Sequence, residues 1–450
     1  MTSRYIIHTA ALALLAALPA CSKFVDTPLP ANKIVPQVVF ANDATATSVL
    51  LGAYYSLQNV TASKDYSTDL FGDDIYYPGA GSSVQTLQEN TYTDANASFQ
   101  FFENYYKAIF NCNSILEEMD KQNGVSDSTA RLLKGESKFL RAFSNFQLVN
   151  LYATPPLVGT TNVSVSAYVG NSTPAQVYDA MVADLKDAYN LLGDNYPSSD
   201  RVRANKAAAS ALLARVYLYK KDWANAETEA TRQITNAAYS LPTDLSTVFT
   251  KGSTETIWQV WSSAGYNNGQ GANYIPGNTA QVFYTLRPGL LNAFEANDAR
   301  RANWVRAGTG ASAALYYPYK YRQRTSASGN ATEYIVQLRL AEQYLIRAEA
   351  RAQLNNISGA LADLNVIRAR AGLPAATATS QSDLLPKIEQ ERRIELMVEC
   401  GHRCYDLNRT GRTSYWLAPQ KPTWMARDTI LPYTTSLLLS NPNLKQNKGY

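Results

Sequence analysis

The sequence predicts a mainly α protein, with paired helices on one side and a loop-rich face on the other. Three observations predict it. Apolar residues recur at helical spacing through most of the 450 residues. Small residues, chiefly alanine, fall where two helices have to approach closely. Two long stretches, 60–97 and 239–332, break the helical period yet hold many aromatic residues, which argues against disorder.

The chain opens on MTSRYIIHTAALALLAALPA. Arg4 is basic, and the apolar run Ile6 to Leu18 is too short for a comfortable membrane span, so residues 1–20 read as a secretion leader. In Leu18-Pro19-Ala20-Cys21, small residues precede a cysteine, as at a bacterial lipoprotein cleavage site. Cys21 is therefore expected to carry acyl chains, each buried methylene adding ~0.8 kcal/mol of membrane affinity. Residues 21–37 comprise this cysteine and a tether kept extended by Pro28, Pro30 and Pro36.

A first helix is expected over 42–59, with Val49, Leu50, Ala53 and Leu57 on one face. Others follow over 98–120 and over 129–152, the latter ended by Pro155-Pro156. Thr173 and Pro174 supply an N-cap and a first helical residue for 173–192. Residues 203–220 and 222–237 form a pair, as do 333–354 and 358–371, closed by Gly372 and Pro374. A last long helix runs to about residue 400, with Pro386 tolerable only in its first turn. Residues 38–250 and 251–450 are expected to pack as two parts of one globular body.

Two of the pairs resemble tetratricopeptide repeats. In the first, Leu213, Ala214, Tyr217, Trp223 and Ala226 fall at that spacing, with Lys221 in place of the usual turn glycine. In the second, Ala348 and Ala360 fit, with Ile357 at the aromatic position.

Composition excludes several functions. The net charge is +4, and no run of five or more like charges marks a nucleic-acid surface. Of two histidines, His8 leaves with the leader, so His402 alone cannot build a site of several imidazole ligands. With Cys21 acylated, Cys112, Cys400 and Cys404 allow at most one internal disulfide. Cys400 and Cys404 read as buried thiols one helical turn apart. No cofactor and no metal are expected, and Gly79-Ala80-Gly81-Ser82-Ser83 lacks the lysine of a phosphate loop.

Several blocks together resemble the SusD/RagB family of Bacteroidetes outer-membrane lipoproteins. They are Cys21-Ser22-Lys23-Phe24-Val25-Asp26, the stretch from Leu338 to Ala350, Arg368-Ala369-Arg370-Ala371-Gly372-Leu373-Pro374, Glu391-Arg392-Arg393-Ile394-Glu395-Leu396, Gly401 to Gly411, and the end from Asn441 to Tyr450. The blocks lie in order and reach both ends of the chain. Cys400 and Cys404 depart from the pattern, standing where the family has a small residue and an aromatic. The resemblance implies four repeat-like helix pairs on one side and a ligand surface on the other. It also implies a lipid-anchored protein at the cell surface, acting as a lid over a TonB-dependent, SusC-like transporter. The ligand would be an oligosaccharide or, as in peptide-binding members, a peptide.

Candidate contacts follow from side-chain chemistry. Carboxylates accept hydrogen bonds from sugar hydroxyls, and tyrosine rings stack on the apolar faces of sugars. Asp73, Asp74, Tyr76 and Tyr77 qualify in the first irregular stretch. Tyr266, Asn268, Tyr274, Tyr284 and Trp304 qualify in the second, where aromatics alternate with amides. Core and turn roles compete with binding at each of these positions. Trp258 and Trp261 read as core, and Tyr316, Tyr317, Tyr319 and Tyr321 fit either role. Glycoside hydrolysis needs two carboxyl groups facing each other across a substrate, which neighbours such as Asp73 and Asp74 rarely do. No catalytic residue is assigned. Glu395, Glu399, Arg403, Asp406, Arg409 and Arg412 recur at helical spacing and suit a structural ion network, with His402 a structural neighbour.

Overall fold

The computed structural model describes residues 36–79, 83–94, 101–121, 123–262, 268–277, 281–325 and 331–450. The leader, Cys21 and nearly all of the tether lie outside the described residues, as does Tyr266. Among the described residues no helix is long and apolar enough to cross a membrane.

The architecture is mainly α. Four helix pairs stack side by side: α1 (Asp43–Phe71) with α2 (Phe101–Glu118), α3 (Asp127–Tyr152) with α4 (Pro174–Leu191), α5 (Lys206–Lys220) with α6 (Trp223–Ile234), and α7 (Leu340–Gln353) with α8 (Ile357–Arg370). Two further helices follow: α9 (Gln381–Glu395) packs on α7 and α8, and α10 (His402–Arg409) packs against α1. The helix starts follow their caps. Ser126 Oγ accepts from Thr129 N on α3, and Thr173 and Gln176 form a reciprocal capping box on α4. Alanines lie at the pair contacts: Ala208, Ala211, Ala214, Ala348, Ala352 and Ala360 are all fully buried.

Three short antiparallel strand pairs build the other side. β1 (Ile75–Tyr76) pairs with β3 (Thr285–Leu286), β2 (Thr256–Val260) with β6 (Ile335–Arg339), and β4 (Val305–Ala307) with β5 (Tyr316–Pro318). The largest core cluster runs from Phe40 to Leu444 and includes Trp258, edge-on to Phe139 and Phe143. A second cluster, with Ile75, Tyr274, Leu286 and Trp304, sits under the loop side.

The structure corrects several boundaries. α1 runs to Phe71, twelve residues past the expected end. Residues 60–71 are polar-rich, but Lys64, Asp65, Thr68 and Asp69 are all buried, so no apolar stripe marks the helix there. Residues 335–339, expected to be helical, form β6, buried on both faces and so without visible alternation. Pro386 lies at the sixth residue of α9, past the first turn. Cys400 precedes α10 with φ 54°, in the left-handed region, so it shares no helix with Cys404.

Candidate functional site

The site is built on the end of α1. There Lys64 and Asp65 form a fully buried ion pair, and Gln270 Nε2 donates to Asp65 Oδ2 at 2.7 Å. The Tyr274 hydroxyl donates to Asp69 Oδ2 at 2.9 Å. Burial, then the neighbouring Asp74 and Asp65, hold the Asp69 carboxyl well above its usual range. Both donors come from the short helix Gly269–Tyr274, which lies very close to its neighbours. A Cβ on Gly269 would meet the Ala62 Cβ at 2.4 Å, and one on Gly271 would meet the Gln323 carbonyl oxygen at 2.3 Å. Only glycine fits at either place.

Lys421 closes the helix end. Its Nζ donates to the carbonyls of Leu70 and Phe71 and to Asn90 Oδ1, at 2.7–2.8 Å. Asp73 then turns inward. Arg403 binds it bidentately at 2.6 and 2.9 Å, and Arg393 Nη2 donates to it at 2.9 Å. Burial raises the Asp73 carboxyl, but the Arg403 hydrogen bonds and charge outweigh that and hold it below its ordinary value. Asp74 is buried without such a clamp. It accepts only a long bond from Val398 N at 3.4 Å, and Oδ1 has no hydrogen-bond partner among the described residues. Burial, then the charge of Asp73, push its carboxyl up to about 6.

From here the chain enters β1, whose register sets Tyr76 opposite Thr285. One step further, Tyr77 and Tyr284 meet, their ring centroids 6.2 Å apart. Tyr66, on the exposed side of α1, lies 5.5 Å from Tyr284, and Tyr274 meets Tyr284 edge-on at 6.0 Å. Burial, then Tyr66 and Tyr77, raise the Tyr284 hydroxyl to about 12. Tyr66, Tyr76, Tyr77 and Tyr284 are half-buried, so part of each side chain remains accessible. Arg287 stacks over Tyr76 at 5.7 Å. Thr285 Oγ1 donates to the Tyr316 carbonyl at 2.7 Å, which brings the half-buried Tyr316, Tyr317 and Tyr319 alongside. Arg301 covers Tyr316 at 4.6 Å and Arg306 covers Tyr319 at 4.5 Å.

The sequence-derived candidates therefore divide. Tyr77 and Tyr284 meet, with Tyr66 beside them, whereas Tyr76 precedes Tyr77 on the strand, faces the other side and packs under Arg287. Asp73, Asp74, Asn268, Tyr274 and Trp304 are buried, which corrects their reading as surface contacts. Asp73 is consumed by two arginines. Asn268 Oδ1 accepts from Gly271 N at 2.7 Å and caps the short helix. Trp304 Nε1 donates to the Leu245 carbonyl at 3.1 Å, and its ring packs in the core under Lys320. Tyr66 lies in the stretch 60–97 read as irregular but was not among its candidates; its partner Tyr284 is more than 200 residues away and leaves no local sign. Trp261, expected in the core, is instead an exposed ring at the end of β2. Alternation does not show this, because Ile257 and Gln259, on the same face as Trp261, are buried and the exposure begins only where β2 ends.

No group of three or more histidine, cysteine or acidic residues among the described ones could hold a metal. The charged residues near the C-terminus form ion pairs instead. Arg339 reaches Glu255, Glu395 and Glu399, while Arg370 and Arg300 also reach Glu395. Asp406 pairs with Arg392 and Arg409, and Arg412 with Glu389. His402 is buried among them; burial, then Arg215, Arg392 and Arg339, hold it neutral.

Comparison with known proteins agrees along the chain. Residues 29–218 match a family model described as starch-binding and associating with the outer membrane, and residues 299–450 match the model of the SusD family. Two SusD-like proteins of Formosa agariphila, P25 and P2, are 25% and 27% identical, with 94% or more of each chain covered. A laminarin-binding SusD-like protein superposes with a TM-score of 0.79 at 25% identity, over 91% of this chain and all of that one. Surface glycan-binding protein A from Bacteroides uniformis has the same fold, with a TM-score of 0.76 at 20% identity over 90% of this chain and 99% of that one.

Proposed function

The chain belongs to the SusD/RagB family, and on that footing we propose that it captures an oligosaccharide at the cell surface. It holds the sugar without covalent chemistry and passes it to a TonB-dependent, SusC-like transporter. The acylated Cys21 anchors it in the outer membrane. The observation that carries this reading is the half-buried tyrosine cluster of Tyr66, Tyr77 and Tyr284. Rings held on one face by packing lose little entropy when a flat sugar face covers the other. The buried Asp69–Tyr274 and Asp73–Arg403 bonds fix the backbone that presents them. The laminarin-binding relative, similar over nearly the whole chain, supports a neutral glucan as ligand. Asp73 and Asp74 are not placed as a hydrolytic pair, because both are fully buried and Asp73 is held by two arginines.

The test is calorimetry on residues 22–450 with laminarihexaose, cellohexaose, maltohexaose, mannohexaose and a peptide library. One or more hexaoses should bind saturably. Tyr77→Ala and Tyr284→Ala should each weaken that binding about tenfold, in the range of a lost stacking contact of ~1.4 kcal/mol, without moving the melting temperature. Binding untouched by both changes would remove the cluster from the proposal. A response to peptides alone would replace the sugar by a peptide.

A further inference from the structure

A second concave surface lies further up α1, apart from the tyrosine cluster. It is a groove of about 490 Å³. That volume lies within the ~300–1,000 Å³ typical of small-ligand pockets. One wall is a stripe of α1, where Leu51, Tyr55 and Gln58 follow one another at helical spacing. The other wall is Ser198 and Arg203, from the segment between α4 and α5, with Trp261 at the end of β2. Leu51, Tyr55 and Trp261 are 48%, 60% and 44% exposed, although each is a large apolar side chain.

The groove is a built feature. Tyr54 forms its floor and is tied at both ends of its hydroxyl, which donates to Glu136 Oε2 at 2.6 Å and accepts from Ala204 N at 2.9 Å. Glu136, fully buried, also binds Arg203 through Nε at 3.1 Å and Nη2 at 2.5 Å. Floor and wall are thus locked before any ligand arrives.

The unused polar groups point to the ligand. The Ser198 hydroxyl is buried and has no hydrogen-bond partner among the described residues. The Gln58 amide and Arg203 Nη1 make no bond there either, unlike the other two nitrogens of that guanidinium. Glu136 already neutralises Arg203, so the groove offers no net charge. Two exposed aromatic rings on a mostly apolar lining, with an amide and one spare N–H beside them, suit a flat, neutral ring that presents an apolar face and carries hydroxyls at its rim. We infer that this groove is a second saccharide site, taking one or two neutral pyranose units between Tyr55 and Trp261. The inference rests on the saccharide-binding reading above. It places one ring of the pair, Tyr55, on the same helix as Tyr66, 11 residues further up, or ~16 Å at 1.5 Å per residue, with Trp261 facing it from the end of β2.

The test is calorimetry and tryptophan fluorescence on residues 22–450, with laminarihexaose, cellohexaose, maltohexaose and mannohexaose as separate probes. For at least one hexaose, Trp261→Ala and Tyr55→Ala should each weaken binding fivefold or more. Trp261→Phe, which keeps a ring, should restore most of it. The indole signal lost in Trp261→Ala should be the one the sugar quenches, and it should still respond in Tyr284→Ala. Both residues are exposed, so the variants should melt with the parent. Hexaose binding that is unchanged in Trp261→Ala and Tyr55→Ala would overturn the groove and leave the tyrosine cluster standing. No binding of any hexaose by the parent would overturn both.

Discussion

The helix-pair side and the loop side bury their residues by different means. On the first, α7, α8 and α9 meet through Ala341, Ala348, Ala352, Ala360, Leu364 and Ile388, all at or near zero exposure and all apolar. On the second, an apolar cluster with Ile75, Leu286, Leu290 and Trp304 lies against an equally deep ionic one of Glu255, Arg300, Lys320, Arg339, Glu395 and Glu399. Alanine packing needs only neighbours in sequence at the right spacing. The ionic cluster needs partners from five separate segments to arrive together. The helical side therefore tolerates small errors, whereas the loop side fails if one charge is removed.

The sharpest way to break that contrast is at Arg339, which sits where β6 passes into α7. Its guanidinium donates to Glu255 Oε1 at 2.7 Å, Glu395 Oε1 at 2.7 Å and Glu399 Oε2 at 2.8 Å. Arg339→Met keeps the bulk and leaves three buried carboxylates short of a cation. Urea unfolding should show a loss of ~3–5 kcal/mol. Ala348→Gly, a change on the helical side, should lose only ~1 kcal/mol. Equal losses would mean that the network is not what holds the loop side.

The same contrast explains what could be read from sequence. α3 was expected at 129–152 and runs 127–152, because its caps and period are local. The end of α1 was missed because its buried face carries Lys64, Asp65 and Asp69, and the partners of the two carboxylates, Gln270 and Tyr274, lie about 200 residues away. The acidic and basic spacing of 395–412 was legible, but Arg300 and Arg339 as partners were not. At the site, Tyr76, Tyr77 and Tyr284 were legible as residue types. The strand pair that joins Tyr77 to Tyr284 spans more than 200 residues and leaves no local sign.

A second prediction concerns two neighbours with opposite fates. Asp73 has its arginines, while Asp74 has burial and a like charge beside it. Folded, Asp74 holds its proton up to about pH 6. Unfolded, it releases it near ~3.9. Between those values the folded state binds more protons, so this group's contribution falls as pH rises and stays low above 6. Asp74→Asn removes the penalty. It should be more stable than the parent at pH 7.5 by ~1–3 kcal/mol and equal to it near pH 3.5. A variant less stable than the parent at pH 7.5 would show that Val398 N and the Arg393 guanidinium, 3.9 Å from Asp74 Oδ1, outweigh the burial.

The smallest expected effect lies on the helical side, in the two turns that close its last pairs. Lys221, between α5 and α6, has φ 60°, and Asn355, between α7 and α8, has φ 62°. The turns are built alike. Lys221 N bonds to Leu218 O and Asp222 N to Tyr217 O, while Asn355 N bonds to Ala352 O and Asn356 N to Arg351 O. In each the next residue caps the following helix, Asp222 in one and Asn356 in the other. The left-handed conformation disfavours a Cβ, and asparagine tolerates it better than lysine. Lys221→Gly should therefore stabilise the protein by ~0.5–1 kcal/mol. Asn355→Gly should gain less than half as much, because its side chain already suits the turn. The measurement is the shift in urea midpoint at constant slope. Lys221 is exposed and forms no ion pair among the described residues, so little else changes with it. If Lys221→Gly destabilises, the lysine stem supports the turn in a way its backbone geometry does not show. If both glycines gain equally, the preference of asparagine for this conformation contributes nothing here.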